Sequence, residues 1–438
     1  MKFSIFLTSG SIALVFTLCT IIAIIINPHI ITSFFSNSPA KLFYDIGHYS
    51  NLAIHPTCNA FYPLWPWLIS KLRKLQTVDD AAFYFRAFGS LLSLISIPLF
   101  LLLLKQNIKS YKIIVLVAAL YAVNPLSVFR MIGYTEGIFS VLSLILLIFL
   151  SNLNTNSKLS IKLIYILISV FTLSLLLSLT RPFLIQVIFA SVLALISVLV
   201  ITKFQNSLNL LKPLKIYGIT TFTICLGASV GYCIYGYYCL QSRGDFFAPF
   251  HDQKAWGKTL GFYPQSFFIP LTYADFISIY LPTIAMILSW LIAVSTSIKR
   301  LIFVVPKLWQ WILLLAYPPA FLAFYGWDFK KTNFSDKKIS SKEINLTQGA
   351  ENISISYVFW FCIYFALIHS IIIVFSDQKL TSLRRFIFGT PYFFLAIAYI
   401  SQCFPYRKVS KLLLWILGLS SIWLVQYWLE YANGGWIG

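Results

Sequence analysis

Long apolar runs recur along almost the whole chain, separated by short polar connectors. A membrane-spanning helix needs about 20 mostly apolar residues to cross about 30 Å of hydrocarbon. About eleven runs reach that length: 8–28, 85–104, 113–130, 134–151, 161–179, 182–201, 216–239, 276–297, 357–375, 386–403 and 411–429. A further apolar stretch, 302–326, is interrupted by Pro306 and Pro318-Pro319, which favours a re-entrant or interfacial segment over a crossing. The pattern predicts an all-α, polytopic integral membrane protein.

The composition supports this prediction. Of the 438 residues, 59% are hydrophobic and 11% are charged, with a mean hydropathy of +0.82. Soluble domains carry roughly 25% charged residues, so a soluble enzyme, a disordered chain and a small disulfide scaffold are excluded. The net charge of +20 does not indicate nucleic-acid binding, because the basic residues concentrate in the short connectors, where they orient helices in a bilayer.

The distribution of basic residues predicts a topology. If the N-terminus is cytoplasmic and 302–326 does not cross, the cytoplasmic connectors hold most of the lysines and arginines. Two longer segments, 29–84 and 240–275, then lie together on the outer face. A Lys/Asn/Ser-rich insertion, 326–355, is predicted to be a mobile cytoplasmic loop. Residues 1–438 are therefore interpreted as one transmembrane domain with two outer loops.

The positions of the cysteines do not indicate disulfide bonds. None of the seven forms a CxxC pair, and most lie inside apolar runs. The sequence therefore predicts small buried hydrophobic side chains and no structural disulfide.

The first outer loop contains the best candidate for a catalytic base. Asp45 lies among aromatic residues about 17 positions after the first apolar run, and partial desolvation suits a carboxylate to proton abstraction. In a helix, Asp45 and His48 share a face. A helix cap or a solvated loop aspartate is the alternative.

A metal site is a second interpretation of the outer face. His48, His55 and His251 all lie there with Asp45, but no HxxxH or HExxH spacing supports a metal site, which favours hydrogen-bonding roles. We therefore predict no cofactor, with a divalent metal left open.

The second outer loop mixes aromatic, charged and amide side chains over 244–258. One interpretation is an amphipathic interfacial segment anchored by Trp256. The other is a sugar-binding segment that uses His251, Gln253 and Trp256. Composition does not choose between them.

Four more charges are predicted at the outer ends of spans. Glu136 and Arg181 occupy a depth at which charge is costly and indicates function, although a structural ion pair explains them equally well. Arg384 and Arg385 open a late span, and a guanidinium fork matches phosphate oxygens. Contact with lipid headgroups is the alternative for these two.

These segments resemble, in the same order, the motifs of the PIG-V-like mannosyltransferases, the glycosylphosphatidylinositol mannosyltransferase II family with its bacterial relatives. Residues 44–49 (Y-D-I-G-H-Y) and 60–66 (A-F-Y-P-L-W-P) are similar to "W-D-A-x-x-Y … F-F-P-L-Y-P". Residues 124–129 (N-P-L-S-V-F) and 134–136 (Y-T-E) resemble "N-P-x-S-V-F … Y-S-E", and Thr180-Arg181 matches "T-R". The 244–257 segment resembles "G-D-P-L-A-F-x-x-A-Q-x-A-W-G", residues 382–386 resemble "S-L-P-R-Y", and residues 433–436 resemble the terminal "G-R-W".

The chain departs from these motifs at several of the matched positions. Tyr44 replaces a tryptophan, Arg384 stands where the family has proline, and Gly435 stands where it has arginine. The 298–355 region is also longer than in typical bacterial relatives. The resemblance therefore leaves open whether the chain uses the donor and the acceptor of the family.

The resemblance implies a GT-C membrane glycosyltransferase architecture and an inverting transfer of a sugar, mannose in the family, from a polyprenyl-phosphate donor to a lipid-linked or cell-envelope acceptor. Asp45 is the implied base, which deprotonates the acceptor, while Arg385, helped by Arg384, holds the departing phosphate. The side chains implied to position or orient the substrates are His48, His251, Gln253, Trp256, Trp436, Glu136 and Arg181.

The predicted partners are these lipid substrates and the surrounding membrane lipids, with no nucleic acid. The predicted location is a bacterial inner membrane with a periplasmic site, and the alternative is the endoplasmic reticulum with a lumenal site. Two other functions stay open: a flippase or transporter of polyprenyl-linked glycans, and a non-catalytic subunit of a transferase complex. A transporter is expected to place charges from several spans in a central cavity, whereas here the mid-span positions are almost free of charge.

Overall fold

The computed structural model describes residues 4–35, 45–72, 75–153, 161–204, 211–256, 261–267, 273–302, 356–376 and 383–434, and across these ranges the chain is helical, without a strand. The first eight helices are α1 (Ile5–Ile26), α2 (His29–Phe35), α3 (Asp45–Ile54), α4 (Leu64–Leu72), α5 (Val78–Asn107), α6 (Tyr111–Val123), α7 (Val128–Met131) and α8 (Glu136–Ser151). The others are α9 (Ile161–Thr180), α10 (Leu184–Phe204), α11 (Leu211–Arg243), α12 (Ala248–His251), α13 (Tyr273–Ile302), α14 (Tyr357–Ser376), α15 (Leu383–Phe388), α16 (Pro391–Ser401) and α17 (Tyr406–Ala432). Short 3-10 turns occupy Pro125–Ser127, Asp252–Trp256 and Pro264–Phe267.

The predicted apolar runs coincide with helices of two lengths. Six helices in the described part of the chain are long and apolar enough to cross a membrane: α1, α5, α9, α10, α11 and α17. Helices α6 and α7 make a seventh candidate, bent by 59° at Asn124-Pro125. The remaining runs coincide with shorter apolar stretches, Glu136–Ser151 of α8, Ile277–Ala293 within α13, Tyr357–Ile372 within α14 and Pro391–Ser401 of α16. The prediction of an all-α integral membrane protein is confirmed, while the segments 303–326 and 326–355 lie outside the described residues.

Polar contacts define the two ends of the helix bundle. At one end, the amide of Asn107 donates to Ser151 Oγ (3.0 Å) and accepts from Tyr399 Oη (2.6 Å). At the opposite end, the side chains of Asn27 and Asn433 are 3.1 Å apart. Between these ends the helices bury mainly apolar side chains together with serines and threonines, as expected of a bundle whose backbone polar groups are satisfied within its helices.

Helices α9 and α11 approach each other at two glycines spaced four residues apart. A Cβ atom added to Gly227 would lie 2.5 Å from the carbonyl oxygen of Phe171, and one added to Gly231 would lie 2.5 Å from that of Leu175. Small residues at this spacing let membrane helices bring their backbones together, and the resulting contacts replace a hydrophobic driving force that lipid cannot supply. The two glycines therefore set the distance between α9 and α11.

We expect the substitution Gly231→Ala to destabilise the bundle by about 1–3 kcal/mol, because the added methyl meets rigid backbone and forces the helices apart. The measurement is the temperature at which detergent-solubilised protein loses its monodisperse elution profile. Gly218→Ala is the matched control, since Gly218 lies on the same helix with open space around it. Equal melting temperatures for the two variants would contradict the close packing.

A disulfide joins Cys58, between α3 and α4, to Cys239 near the end of α11, with the Cα atoms 5.2 Å apart. The sequence-based prediction of no structural disulfide is wrong. It failed because these two cysteines are 181 residues apart and only the packing of the first outer loop against α11 brings them together. Arg243 strengthens the same junction by donating to the Cys58 carbonyl oxygen (2.9 Å).

We expect the double substitution Cys58→Ser/Cys239→Ser to lower the free energy of unfolding by about 2–4 kcal/mol, because a cross-link restricts the unfolded chain. Heating in detergent measures the loss, and peptide mapping without reductant checks the bond itself. Cys233→Ser serves as the control, since Cys233 is a free, exposed cysteine on the same helix. A wild-type protein whose Cys58 and Cys239 peptides separate without reductant would refute the assignment.

Candidate functional site

Four charged side chains, three of them buried and one partly exposed, meet at the end of the bundle that the topology predicted from the sequence places outside. Asp45 is the first residue of α3, Glu136 the first of α8, Arg181 follows α9, and Arg385 lies in α15. Arg385 Nη1 lies 2.8 Å from Asp45 Oδ2, and Arg385 Nε lies 2.9 Å from Glu136 Oε1. Arg181 Nη2 approaches the same Glu136 oxygen at 3.0 Å. We refer to these four residues as the charge network.

The two carboxylates of the charge network differ in their surroundings. The Glu136 side chain is 1% exposed and its Oε1 atom faces both guanidinium groups, whereas the Asp45 side chain is 13% exposed and pairs with Arg385. Glu136 Oε2 is buried and has no hydrogen-bond partner within the described part of the chain. With two cations and two anions the network is neutral, which is how such charges are tolerated in a buried site.

Burial and the neighbouring charges shift the pKa values of the two arginines in opposite directions. Burial opposes the charge of Arg385, but the carboxylates of Asp45 and Glu136 outweigh it, so the pKa of Arg385 is raised. Burial dominates at Arg181, which pairs with Glu136, so its pKa is lowered. Burial, followed by the charge of Asp45, raises the pKa of Tyr49. Arg385 is thus the more strongly held cation of the two.

Aromatic rings enclose the guanidinium groups. The Arg181 guanidinium carbon lies 4.3 Å from the ring centroid of Phe386, and that of Arg385 lies 5.1 Å from Tyr134 and 5.4 Å from Phe129. Arginine on an aromatic face gains an electrostatic attraction that grows as water is excluded. The rings therefore fix the directions of both arginines while shielding them from solvent.

Helix α8 presents Glu136 on a narrow polar stripe. Glu136, Ser140 and Ser143 recur at positions i, i+4 and i+7, which places them on one helix face, and all three are fully buried. Ser140 donates to the carbonyl oxygen of Gly389 (3.2 Å), and Ser143 accepts from Tyr392 Oη (2.9 Å). These bonds hold α8 against α15 and α16, so that Arg385 stands over Glu136.

A glycine turn holds α3 beside the start of α8. Gly133 has a φ of +95°, a conformation that favours glycine, and a Cβ there would collide with Ile46 of α3 at 2.8 Å. Trp65 Nε1 donates to the Gly133 carbonyl oxygen (3.1 Å). The turn therefore lets α3 approach closely enough for Asp45 to reach the network.

The two matched segments of the first outer loop pack on each other. Phe61 stacks on the ring of His48 (4.8 Å between centroids) and meets Tyr49 edge to face (5.1 Å). Tyr235 of α11 donates to the carbonyl oxygens of Asn59 and Phe61 (both 2.9 Å). His48 thus lies one helical turn from Asp45, with its ring against Phe61.

The second outer loop forms its own ion pairs. His251 Nδ1 lies 2.8 Å from Asp245 Oδ2, and this partner holds the pKa of Asp245 below its ordinary value. Arg243 pairs with Asp252. Gln253 lies in the 3-10 turn Asp252–Trp256. Among the described contacts, no ion pair or hydrogen bond joins this loop to the charge network; the side chain of Trp256 and all of Trp436 lie outside the described residues.

The structure separates the two arginines that the sequence treats together. Arg384 Nη1 donates to the hydroxyl of Tyr427 on α17 (2.8 Å), and its guanidinium lies 5.6 Å from the centroid of that ring. Arg385 instead faces the carboxylates. Neighbouring residues of a helix point about 100° apart, so two consecutive arginines do not share a target.

Two buried arginines were missed by the sequence argument. Arg130 donates to the Tyr121 carbonyl oxygen (2.6 Å) and stacks on the Tyr121 ring (4.0 Å), which covers the carbonyl end of α6 at its break. Arg86 hydrogen-bonds the hydroxyl of Tyr431 on α17. Both arginines lie near the ends of predicted spans, where a charge is costly and indicates a role. The same signal identified Arg181 from the sequence.

Metal binding has no support in the arrangement of histidines. Among the residues that the structure describes, no three His, Cys, Asp or Glu side chains lie close enough together to hold one ion. His48 stacks on Phe61, and His251 pairs with Asp245.

The charge network combines two chemical capabilities. Asp45, the more exposed carboxylate, can accept a proton, and the paired guanidiniums can bind an anionic oxygen such as that of a phosphate. Comparison with known protein families, with curated proteins and with solved structures returns no match.

Proposed function

We propose that the protein is an inverting membrane glycosyltransferase of GT-C type that moves a sugar, mannose by the resemblance, from a polyprenyl-phosphate donor to a lipid-linked or cell-envelope acceptor. One observation supports this most directly. The carboxylate proposed as the base and the guanidinium proposed as the phosphate ligand, 340 residues apart in sequence, lie 2.8 Å apart. The order of the matched motifs supports the same assignment.

The reaction needs few groups from the protein. The acceptor hydroxyl attacks the anomeric carbon as Asp45 takes its proton, and the bond from that carbon to the donor phosphate breaks with its electrons remaining on the phosphate oxygen. A phosphate leaves without a general acid, so one carboxylate suffices. Arg385 would stabilise the charge on the departing phosphate. Glu136 and Arg181 would hold Arg385 in position.

We further propose that the site faces an oxidising compartment, the periplasm of a bacterium or, alternatively, the lumen of the endoplasmic reticulum. The Cys58–Cys239 bond supports this side, because disulfides persist in oxidising compartments. The bond lies next to Arg243 and Tyr235, on the same outer segments that lead to the network.

Sugar transfer by purified protein tests the proposal. We expect label from polyprenyl-phosphate-mannose to move to a component of a native lipid extract and polyprenyl phosphate to be released in equal amount. Parallel reactions with other polyprenyl-phosphate sugars identify the donor. Failure to release polyprenyl phosphate from any donor would overturn the transferase proposal.

The charge network also supports a second candidate, a transporter of polyprenyl-linked glycans, because its four charges come from four separate chain segments, as transporter sites commonly do. Protein reconstituted into vesicles distinguishes the two functions. A transporter moves an intact labelled glycolipid between leaflets and leaves its glycosyl-phosphate bond unbroken.

A further inference from the structure

We infer that donor binding activates the base: the donor phosphate displaces Asp45 from Arg385, so that the carboxylate is released for proton abstraction only when the donor is present. This inference rests on the proposed function. It concerns how the same site is regulated, and it begins from an apparent conflict. A base whose charge is stabilised by an arginine at 2.8 Å is a poor proton acceptor, yet that arginine is also the proposed phosphate ligand.

The geometry indicates which partner of Arg385 gives way. Glu136 is 1% exposed and bound by two guanidiniums through one oxygen, so its removal would leave two cations buried. Asp45 is the more exposed carboxylate, pairs with Arg385 through one oxygen, and lies at the first residue of the short helix α3. Displacing Asp45 from Arg385 by an incoming anion therefore costs less free energy than displacing Glu136.

The charges of the network account for the activation. Before donor binding, two guanidiniums balance two carboxylates. A phosphodiester donor adds one negative charge, so the site carries a net charge of −1. Transfer conserves this charge, because Asp45 becomes neutral as it takes the proton of the acceptor hydroxyl and the departing phosphate gains the negative charge. The new sugar–oxygen bond forms as the anomeric carbon–phosphate oxygen bond breaks, and the second negative charge of the leaving phosphate develops against Arg385. The donor phosphate, by replacing Asp45 as the partner of Arg385, thus favours proton transfer to Asp45.

The direct test is the affinity for the leaving group alone. Farnesyl phosphate, a prenyl monophosphate, is titrated into detergent-solubilised protein by calorimetry, using the monodisperse fraction of each variant. We expect Asp45→Asn to bind about tenfold more tightly than wild type, because the phosphate no longer competes with a carboxylate for Arg385. Asp80→Asn, which removes an exposed carboxylate at the start of α5, is expected to leave the affinity unchanged.

Two results would overturn the inference. Unchanged or weaker binding by Asp45→Asn would mean that phosphate and Asp45 do not compete. Equal tightening by Glu136→Gln, which removes the same charge from the more buried partner, would mean that net charge alone sets the affinity. If Asp45→Asn binds farnesyl phosphate tenfold more tightly but wild type transfers sugar from no donor, the proposed function is rejected and competition between phosphate and Asp45 stands. If wild type transfers sugar but Asp45→Asn shows no tighter binding, only the competition is rejected.

Discussion

Replacing Asp45 by asparagine is expected to lower the rate of sugar transfer by about 10²–10⁴-fold, the range that a positioned general base contributes. Asparagine has nearly the size of aspartate and can still accept a hydrogen bond from Arg385 Nη1, but it cannot take the acceptor proton. The fold is expected to persist, because Asp45 is the most exposed member of the charge network. Initial rates at saturating donor and acceptor measure the effect.

Asp80→Asn is the control for this experiment, since it removes an exposed carboxylate at the start of α5 without touching the network. Both variants should elute as monodisperse protein, and Asp45→Asn should melt below wild type because it leaves Arg181 and Arg385 with one carboxylate. A fully active Asp45→Asn protein would reject Asp45 as the base. A variant that loses assembly with another protein while no transfer is detectable in wild type would instead favour the role of a non-catalytic subunit.

Replacing Glu136 by glutamine is expected to destabilise the protein by about 3–5 kcal/mol, because the change leaves Arg181 and Arg385 buried with one carboxylate between them. Thermal unfolding in detergent measures the loss. Asp252→Asn removes a carboxylate from a more exposed pair with Arg243 and is expected to change stability little.

A second substitution isolates the charge effect. Adding Arg181→Met to Glu136→Gln removes one charge of each sign and leaves the Asp45–Arg385 pair balanced. The double variant should therefore recover part of the stability that Glu136→Gln loses. The coupling between the two side chains is the loss of the double variant minus the separate losses of Glu136→Gln and Arg181→Met. Strictly additive losses would show that Arg181 and Glu136 do not stabilise each other.

The sequence predicted the helical membrane fold because length and hydropathy are local properties. Each apolar run coincides with a helix, or with the bent α6–α7 pair, in the described chain. The topology count predicted 29–84 and the Arg385 segment on one face, and in the structure Asp45 and Arg385 are in contact. The pairing of particular oxygen and nitrogen atoms depends on how each helix is rotated and on how α15 packs against the bundle. Hydropathy determines neither.

The missed features share a physical reason. The Cys58–Cys239 bond, the stacking of Arg130 on Tyr121 and the burial of Arg86 all depend on which distant segments become neighbours. Some signals were present. Ser140 and Ser143 follow Glu136 at helical spacing, and a glycine pair at i, i+4 interrupts the apolar face of α11.

That glycine pair has a mechanical consequence for the site. Because Gly227 and Gly231 bring the backbones of α9 and α11 into contact, we expect the two helices to move together. One arm ends at Arg181 and the other at Arg243, which carries the second outer loop. We therefore expect a displacement of that loop to be transmitted to Arg181 and, through Glu136, to Arg385, the proposed phosphate ligand.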